Sequence, residues 1–252
     1  MIEIEFLGSG TSTGVPQIGC HCEVCMSPHE RDKRLRASAI VRYQGKCLLI
    51  DCGPDFRTQM LRASNQDLDA LLVTHIHYDH VAGMDDLRAY CHAGPFPVYA
   101  RPDVIDNLRK HMPYCFARHP YPGVPSLDLR PIGDDPFLAA GIEVVPISVM
   151  HASMPIVGFR IGPMAYITDA KTIPPESMAR LKGVKLLVMN ALRIEPHHSH
   201  MCLAESLRVV KQINPEVTYF THMSHGMGRH DDIERQLPSG VHLSYDGLVV
   251  TI

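Results

Sequence analysis

The 252-residue chain has no apolar run of about 18 residues, the length that a membrane-spanning helix needs. Nor does it open on a basic stretch followed by an apolar one. The first residues read MIEIEFLGSG, which argues against a secretory signal peptide and makes a cytoplasmic, reducing compartment the expectation. Positive charge is not in excess either: 24 Lys and Arg stand against 27 Asp and Glu, a formal net charge of −3. Such a chain is not composed to grip a long polyanion, although a bound metal could still invert the local field for a small anionic substrate. There is no low-complexity linker and no short-period repeat, so a single domain over residues 1–252 is expected. What is present is an ordinary globular mixture, 45% hydrophobic and 20% charged, in a chain long enough to bury its own core.

Apolar patterning alternates between strand-like and helix-like stretches. Residues 2–7 alternate as an opening strand, and 38–43 with 47–51 read as a hairpin turning at Gln44-Gly45. Helices are expected at 56–63, 81–92 and 102–112, the last with Pro at its start, and short buried strands at 70–74 and 97–100. The Pro- and Gly-rich stretch 113–136 reads as a long loop or lid. The second half repeats the style, with strands expected at 143–148, 157–161, 165–168, 186–189, 217–220 and 248–251, and helices at 176–181 and 203–213. Mixed strands and helices in two half-chains suit a two-sheet sandwich with outer helices, and periodicity alone leaves its topology open.

The densest chemistry lies in Thr74-His75-Ile76-His77-Tyr78-Asp79-His80. Residues two apart in extended backbone point the same way, so His75 and His77 can face one site. Asp79 and His80 follow at the turn into the next helix. Neutral imidazoles with a carboxylate are ligands that zinc and similar divalent metals prefer. His151, Asp169 and His222 each follow a strand-like segment, a usual place for functional residues. His197-His198-Ser199-His200 forms a second polar cluster before the 203–213 helix.

Of the eight cysteines, Cys47, Cys52, Cys91, Cys115 and Cys202 are scattered and read as buried or half-buried thiols. Cys20, Cys22 and Cys25 form Cys-x-Cys-x-x-Cys, three thiolates that could share one metal but lack a fourth ligand nearby. The glycine-rich run Gly8–Gly14 lacks the Lys-Ser/Thr ending of a phosphate loop and reads as a tight turn after the first strand. Arg31, Lys33, Arg34 and Arg36 read as a solvated basic face.

Together, His-x-His-x-Asp-His and the distant His151, Asp169 and His222 resemble the metallo-β-lactamase superfamily. Gly8–Pro16, Gly19–Cys25, Ile50-Asp51-Cys52-Gly53, Thr168-Asp169, Thr221–His225 and Pro238-Ser239-Gly240 are similar to its PhnP branch of cyclic phosphodiesterases. The resemblance spans essentially the whole chain and implies an α/β fold, a four-layer αββα sandwich. It implies one divalent metal held by His75, His77, His151 and Asp169, and a second by Asp79, His80, His222 and a bridging Asp169, zinc or manganese. It further implies Asp51 as the buried aspartate that orients the ligand histidines, His200 as general acid, a structural zinc on Cys20, Cys22, Cys25 and His225, and a homodimer. His198 is a candidate substrate contact, and no role is read for His197. The expected activity is hydrolysis of a small phosphodiester, such as a ribose cyclic phosphate or a nucleotide-like compound. The alternatives are a tRNA 3′-end endonuclease, disfavoured by the acidic charge and the few basic residues of 113–136, and a non-catalytic metal- or nucleotide-binding protein on the same scaffold.

Overall fold

A computed structural model describes all residues, Met1–Ile252. Two seven-stranded sheets are built on the same plan. In the first, β1 (Ile2–Gly8), β2 (Ser38–Tyr43) and β3 (Lys46–Ile50) run antiparallel, with β14 (Val249–Thr251) on the outer edge of β1. β4 (Ala70–Leu72), β5 (Phe96–Ala100) and β6 (Leu127–Pro131) then extend it in parallel from β3. In the second, β7 (Phe137–Ala139), β8 (Ile142–His151), β9 (Met154–Ile161) and β10 (Met164–Ile167) are antiparallel. β11 (Leu186–Asn190), β12 (Val217–Thr221) and β13 (Val241–Leu243) continue it in parallel.

Alternation along the strands explains the layering. In β3, Leu48 and Ile50 enter the core shared by the sheets while Leu49 faces the other way. In β11, Leu186 and Val188 face in while Leu187 and Met189 face out. The outward face of the first sheet is covered by α1 (Phe56–Arg62), through Phe56 and Met60, and by α3 (Pro102–His111), through Val104, Ile105 and Leu108. The outward face of the second is covered by α4 (Pro175–Arg180) and α5 (Leu203–Ile213), the latter burying Ser206 and Val210. The αββα order follows, because each sheet must bury both faces. α3 begins on Pro102, and Glu205 reaches back to the Cys202 amide (2.9 Å) to cap α5, which ends on Asn214 in the left-handed conformation (φ 54°).

Several expectations change. The helix expected over 81–92 is broken: α2 (Tyr78–Val81) is one turn, and a 3-10 helix follows at Met84–Tyr90. It breaks at Gly83, whose amide donates to the Cys52 carbonyl (2.9 Å) instead of back along the helix, and whose Cα packs on the Gly53 carbonyl, where a Cβ would lie 2.1 Å from the oxygen. Gly53 meets the Asp79 carbonyl in the same way, and the Cys52 amide donates to the His80 carbonyl at 2.7 Å. The end of β3 and the turn carrying Asp79 and His80 are thereby zipped together.

The 113–136 stretch is not one open loop. It holds a 3-10 helix at Pro113–Phe116 and β6, which adds to the sheet edge beside β5. β7, β13 and α6 (His230–Glu234) were not expected; all have three to five residues, too few to show a period. β8 runs on to His151 rather than stopping at Ser148. Gly8–Gly14 does turn after β1, at Thr11–Gly14, where the Gly14 amide donates to the Thr11 carbonyl (2.8 Å), and it is also a close-packed segment. Gly10 bridges to Arg36 and Met223, and a Cβ on Gly8 would lie 2.1 Å from the Arg36 carbonyl. Arg34 is buried, not solvated, and donates to the carbonyls of Ser224 (3.2 Å) and Gly228 (3.4 Å). No helix is long and apolar enough to cross a membrane.

Candidate metal centre

The carboxyl ends of the strands in both sheets meet at one edge of the sandwich, where α/β folds place their ligands. Asp51 follows β3, His75–His80 follow β4, His151 ends β8, Asp169 follows β10 and His222 follows β12. Three of these carry positive φ on a residue with a Cβ: Asp51 (60°), Asp169 (57°) and His222 (57°). That conformation is costly without glycine, and its recurrence at three strand ends around one spot marks a site whose geometry the fold over-determines.

Hydrogen bonds on the far nitrogens aim the imidazoles. Fully buried Asp51 accepts from the Thr74 amide (2.8 Å), the Thr74 hydroxyl (2.8 Å) and His80 Nδ1 (2.6 Å). With its hydroxyl hydrogen engaged there, Thr74 Oγ1 is left to accept from His75 Nδ1 (3.0 Å). His151 Nδ1 donates to the Ser199 carbonyl at 2.9 Å. His75, His80 and His151 are therefore held by Nδ1 and keep Nε2 for the centre. His75 Nε2 and His77 Nδ1 are 3.0 Å apart, and the His77 and His151 ring centres 5.1 Å. His80 Nε2 lies 3.1 Å from Asp79 and 3.3 Å from Asp169, yet has no hydrogen-bond partner. His222 Nε2 lies 3.1 Å from Asp169 and 3.4 Å from Asp79. The His80 Nε2 contacts with Asp79 and Asp169 and the His222–Asp169 contact converge without hydrogen-bond geometry, which fits a cation between them, and Asp169 reaches His80, His200 and His222 at once.

Electrostatics agree. Burial disfavours charge on His80, but Asp169, Asp79 and Asp51 outweigh it and hold the ring well above its ordinary pKa. Burial likewise opposes ionisation of Asp79 and Asp169. His80 with His222 overcomes it for Asp79, and His222 with His80 for Asp169, so both carboxyls lie well below the usual range. His75, with fewer carboxylates near, is pushed well below its usual value by burial and then by the charge on His80. The carboxylates thus make this a buried spot that favours positive charge, a demand that a divalent cation satisfies.

His200 joins the cluster: its Nε2 lies 2.9 Å from Asp169 Oδ1, and its Nδ1 lies 2.9 Å from Ser199 Oγ. Burial pushes it down to about 4, against the bond to Asp169. His197 packs behind it, with Nδ1 3.4 Å from His200 Nδ1, while the exposed His198 ring lies tilted against His197, ring centres 4.4 Å apart.

Cys20, Cys22, Cys25 and His225 also converge. His225 Nδ1 is 3.1, 3.5 and 3.4 Å from the three sulfurs, a near-equidistant set suited to one tetrahedral metal. The Cys25 amide, first among several hydrogen bonds, pulls the Cys22 thiol down to about 6, whereas burial pushes Cys25 up to about 11.

Two supporting residues escaped the sequence reading. Fully buried Asn190 holds Ala170, next to Asp169, through both its amide atoms (2.8 and 3.0 Å). Ser199 serves His151 with its carbonyl and His200 with its hydroxyl. No sequence signal marks them, since an Asn at a strand end and a Ser between histidines are common. Asp51→Asn is expected to lower metal affinity or kcat by about 10- to 100-fold, because it weakens the bond that aims His80. Metal titration of the folded variant checks this.

The Beta-lactamase superfamily domain profile matches residues 46–223, and the chain belongs to this superfamily of metal-dependent hydrolases. The crystal structure of a diphosphatase from the PhnP family superposes with a TM-score of 0.92 at 38% identity, covering 99% of this chain and 96% of that one. A protein of Porphyromonas gingivalis named octanoyltransferase is 45% identical over 249 residues, 98% of this chain but 51% of its own length, so the chain spans about half of that relative. Ribonuclease Z of Mycobacterium sp. (strain KMS) is 25% identical over 214 residues, 77% of this chain and 70% of that protein.

Proposed function

We propose that this chain hydrolyses a small phosphodiester at a two-metal site, with His200 as proton donor to the departing alkoxide. One divalent metal would be held by His75, His77, His151 and Asp169, the other by Asp79, His80, His222 and the same Asp169; zinc and manganese both suit such ligands. Bound there, they would supply Lewis acidity to the phosphoryl oxygens and lower the pKa of an attacking water. The observation that carries the reading is the position of Asp169, within 3.3 Å of donor atoms from His80, His200 and His222.

His200 is neutral near pH 7 in the free protein, given its pKa of about 4. A bound phosphodiester anion favours its protonated form, and the ring then holds a proton beside the bond that breaks. Ser199, at 2.9 Å, fixes the ring's orientation. His200→Ala is expected to lower kcat about 10²- to 10⁴-fold on esters with alkoxide leaving groups, and far less with p-nitrophenolate, which departs without a proton. Metal content should be unchanged. Equal losses on both esters together with loss of a metal would instead make His200 a ligand, a role its grouping with His151 and Asp169 also fits.

The phosphodiester class draws support from the ribonuclease Z relative, while the PhnP-family diphosphatase supports phosphoryl hydrolysis more broadly. The ribonuclease Z relative favours a second reading, a tRNA 3′-end endonuclease. The net charge of −3 and the folding of 113–136 into an edge strand support the small substrate instead. Cleavage of precursor tRNA at rates above those on small diesters would reverse that preference. The octanoyl transfer named for the P. gingivalis relative belongs to a protein about twice this length and is not carried to this chain.

A further inference from the structure

Beside the metal centre lies a cavity of about 440 Å³ that the chemistry above leaves unused. Its walls come from the turn that carries the ligands and from the end of α3. Ile76, Val81, Leu108 and Met112 give an apolar lining, with Leu108 and Met112 buried. Rings complete it: Tyr114 is fixed by its hydroxyl bond to Asp85 (2.9 Å), and His111 by a bond to the Asn107 carbonyl (2.8 Å). Tyr78 is 76% exposed. His77 belongs to both places, lining the cavity while its Nδ1 faces His75.

An acyclic phosphodiester carries two separate organic groups, one leaving and one retained. His200 marks the leaving side, and the His151 ring adjoins both it and His77, 4.5 Å from one and 5.1 Å from the other. The cavity is lined by His77 and by neither His151 nor His200, so a group seated there is assigned as the one that does not depart beside His200. The lining holds the Asp85 carboxylate and no Lys or Arg, which disfavours a second phosphate there, whereas the ring-lined apolar walls suit a flat, uncharged ring. We infer that this cavity seats an aromatic or heteroaromatic ring on the substituent that stays on phosphorus. The inference rests on the phosphodiesterase reading and, for acyclic diesters, favours those bearing such a ring.

The test is calorimetric binding of diphenylphosphinate and dimethylphosphinate, anions whose P–C bonds do not hydrolyse, to metal-loaded protein. Wild type is expected to prefer the diphenyl compound by about tenfold or more, the scale of one good aromatic contact set. His111→Trp, which fills the mouth, and Tyr114→Ala, which removes a wall, should each cut that preference to about threefold or less. No preference in wild type, or an undiminished one in either folded variant, overturns the inference. If the preference behaves as expected but bis(p-nitrophenyl) phosphate is not hydrolysed with either metal, the cavity assignment stands and the hydrolytic reading falls.

Discussion

Asp169→Asn is expected to lower kcat on phosphodiesters by about three orders of magnitude or more, at the upper end of what one electrostatic group contributes. The expectation follows from charge rather than shape. Asparagine keeps the outline of the side chain but not the negative charge that His80, His200 and His222 approach from three sides. Thr168 Oγ1 donates to Asp169 Oδ2 at 2.6 Å and would still orient the amide, so the variant should fold. Catalytic metal content should fall while the metal on the Cys/His cluster stays, which elemental analysis beside turnover separates. Activity within about tenfold of wild type would remove Asp169 from the centre of the account.

Cys22→Ser is the second large effect, and it falls on stability. The loop over residues 20–25 has little core of its own: Val15, Val24 and Cys25 form a three-residue cluster, while Ile18 and Met26 are 97% and 64% exposed. Such a segment needs a staple, and a Cys₃His metal is one that contributes folding energy. Arg34, reaching the Ser224 and Gly228 carbonyls, joins the neighbouring segment to the same catalytic loop. Loss of one metal per chain and a fall in Tm of about 10 °C or more are expected, since each kcal/mol moves Tm by about 2–4 °C at this size. Because His225 is three residues from His222, catalytic metal affinity should weaken as well. An unchanged Tm and metal count would make the cluster an ordinary group of thiols.

Much of the site could be read from the sequence because its signals are local. His75 and His77 share a face through the period of two, and Asp79-His80 sit at a turn that any strand-to-helix junction would supply. The distant members His151, Asp169 and His222 became a set only through the family resemblance; the fold then brings them to one edge because their strands all point the same way. What stayed illegible depends on packing across the chain. The burial of Arg34 rests on carbonyls some 190 residues away in sequence. The break at Gly83 rests on the approach of Gly53, and β6 exists only because β5 offers an edge. Ser199 acts on His151 through a carbonyl that every residue type has.

The most direct test of the account is turnover of bis(p-nitrophenyl) phosphate and of a ribose 1,2-cyclic phosphate by protein loaded with zinc or with manganese. Hydrolysis of both, lost on chelation and restored by metal, is the predicted result. Stoichiometric metal without turnover of either diester would contradict it and leave a metal-binding protein, or an enzyme for a much larger substrate, on the same scaffold.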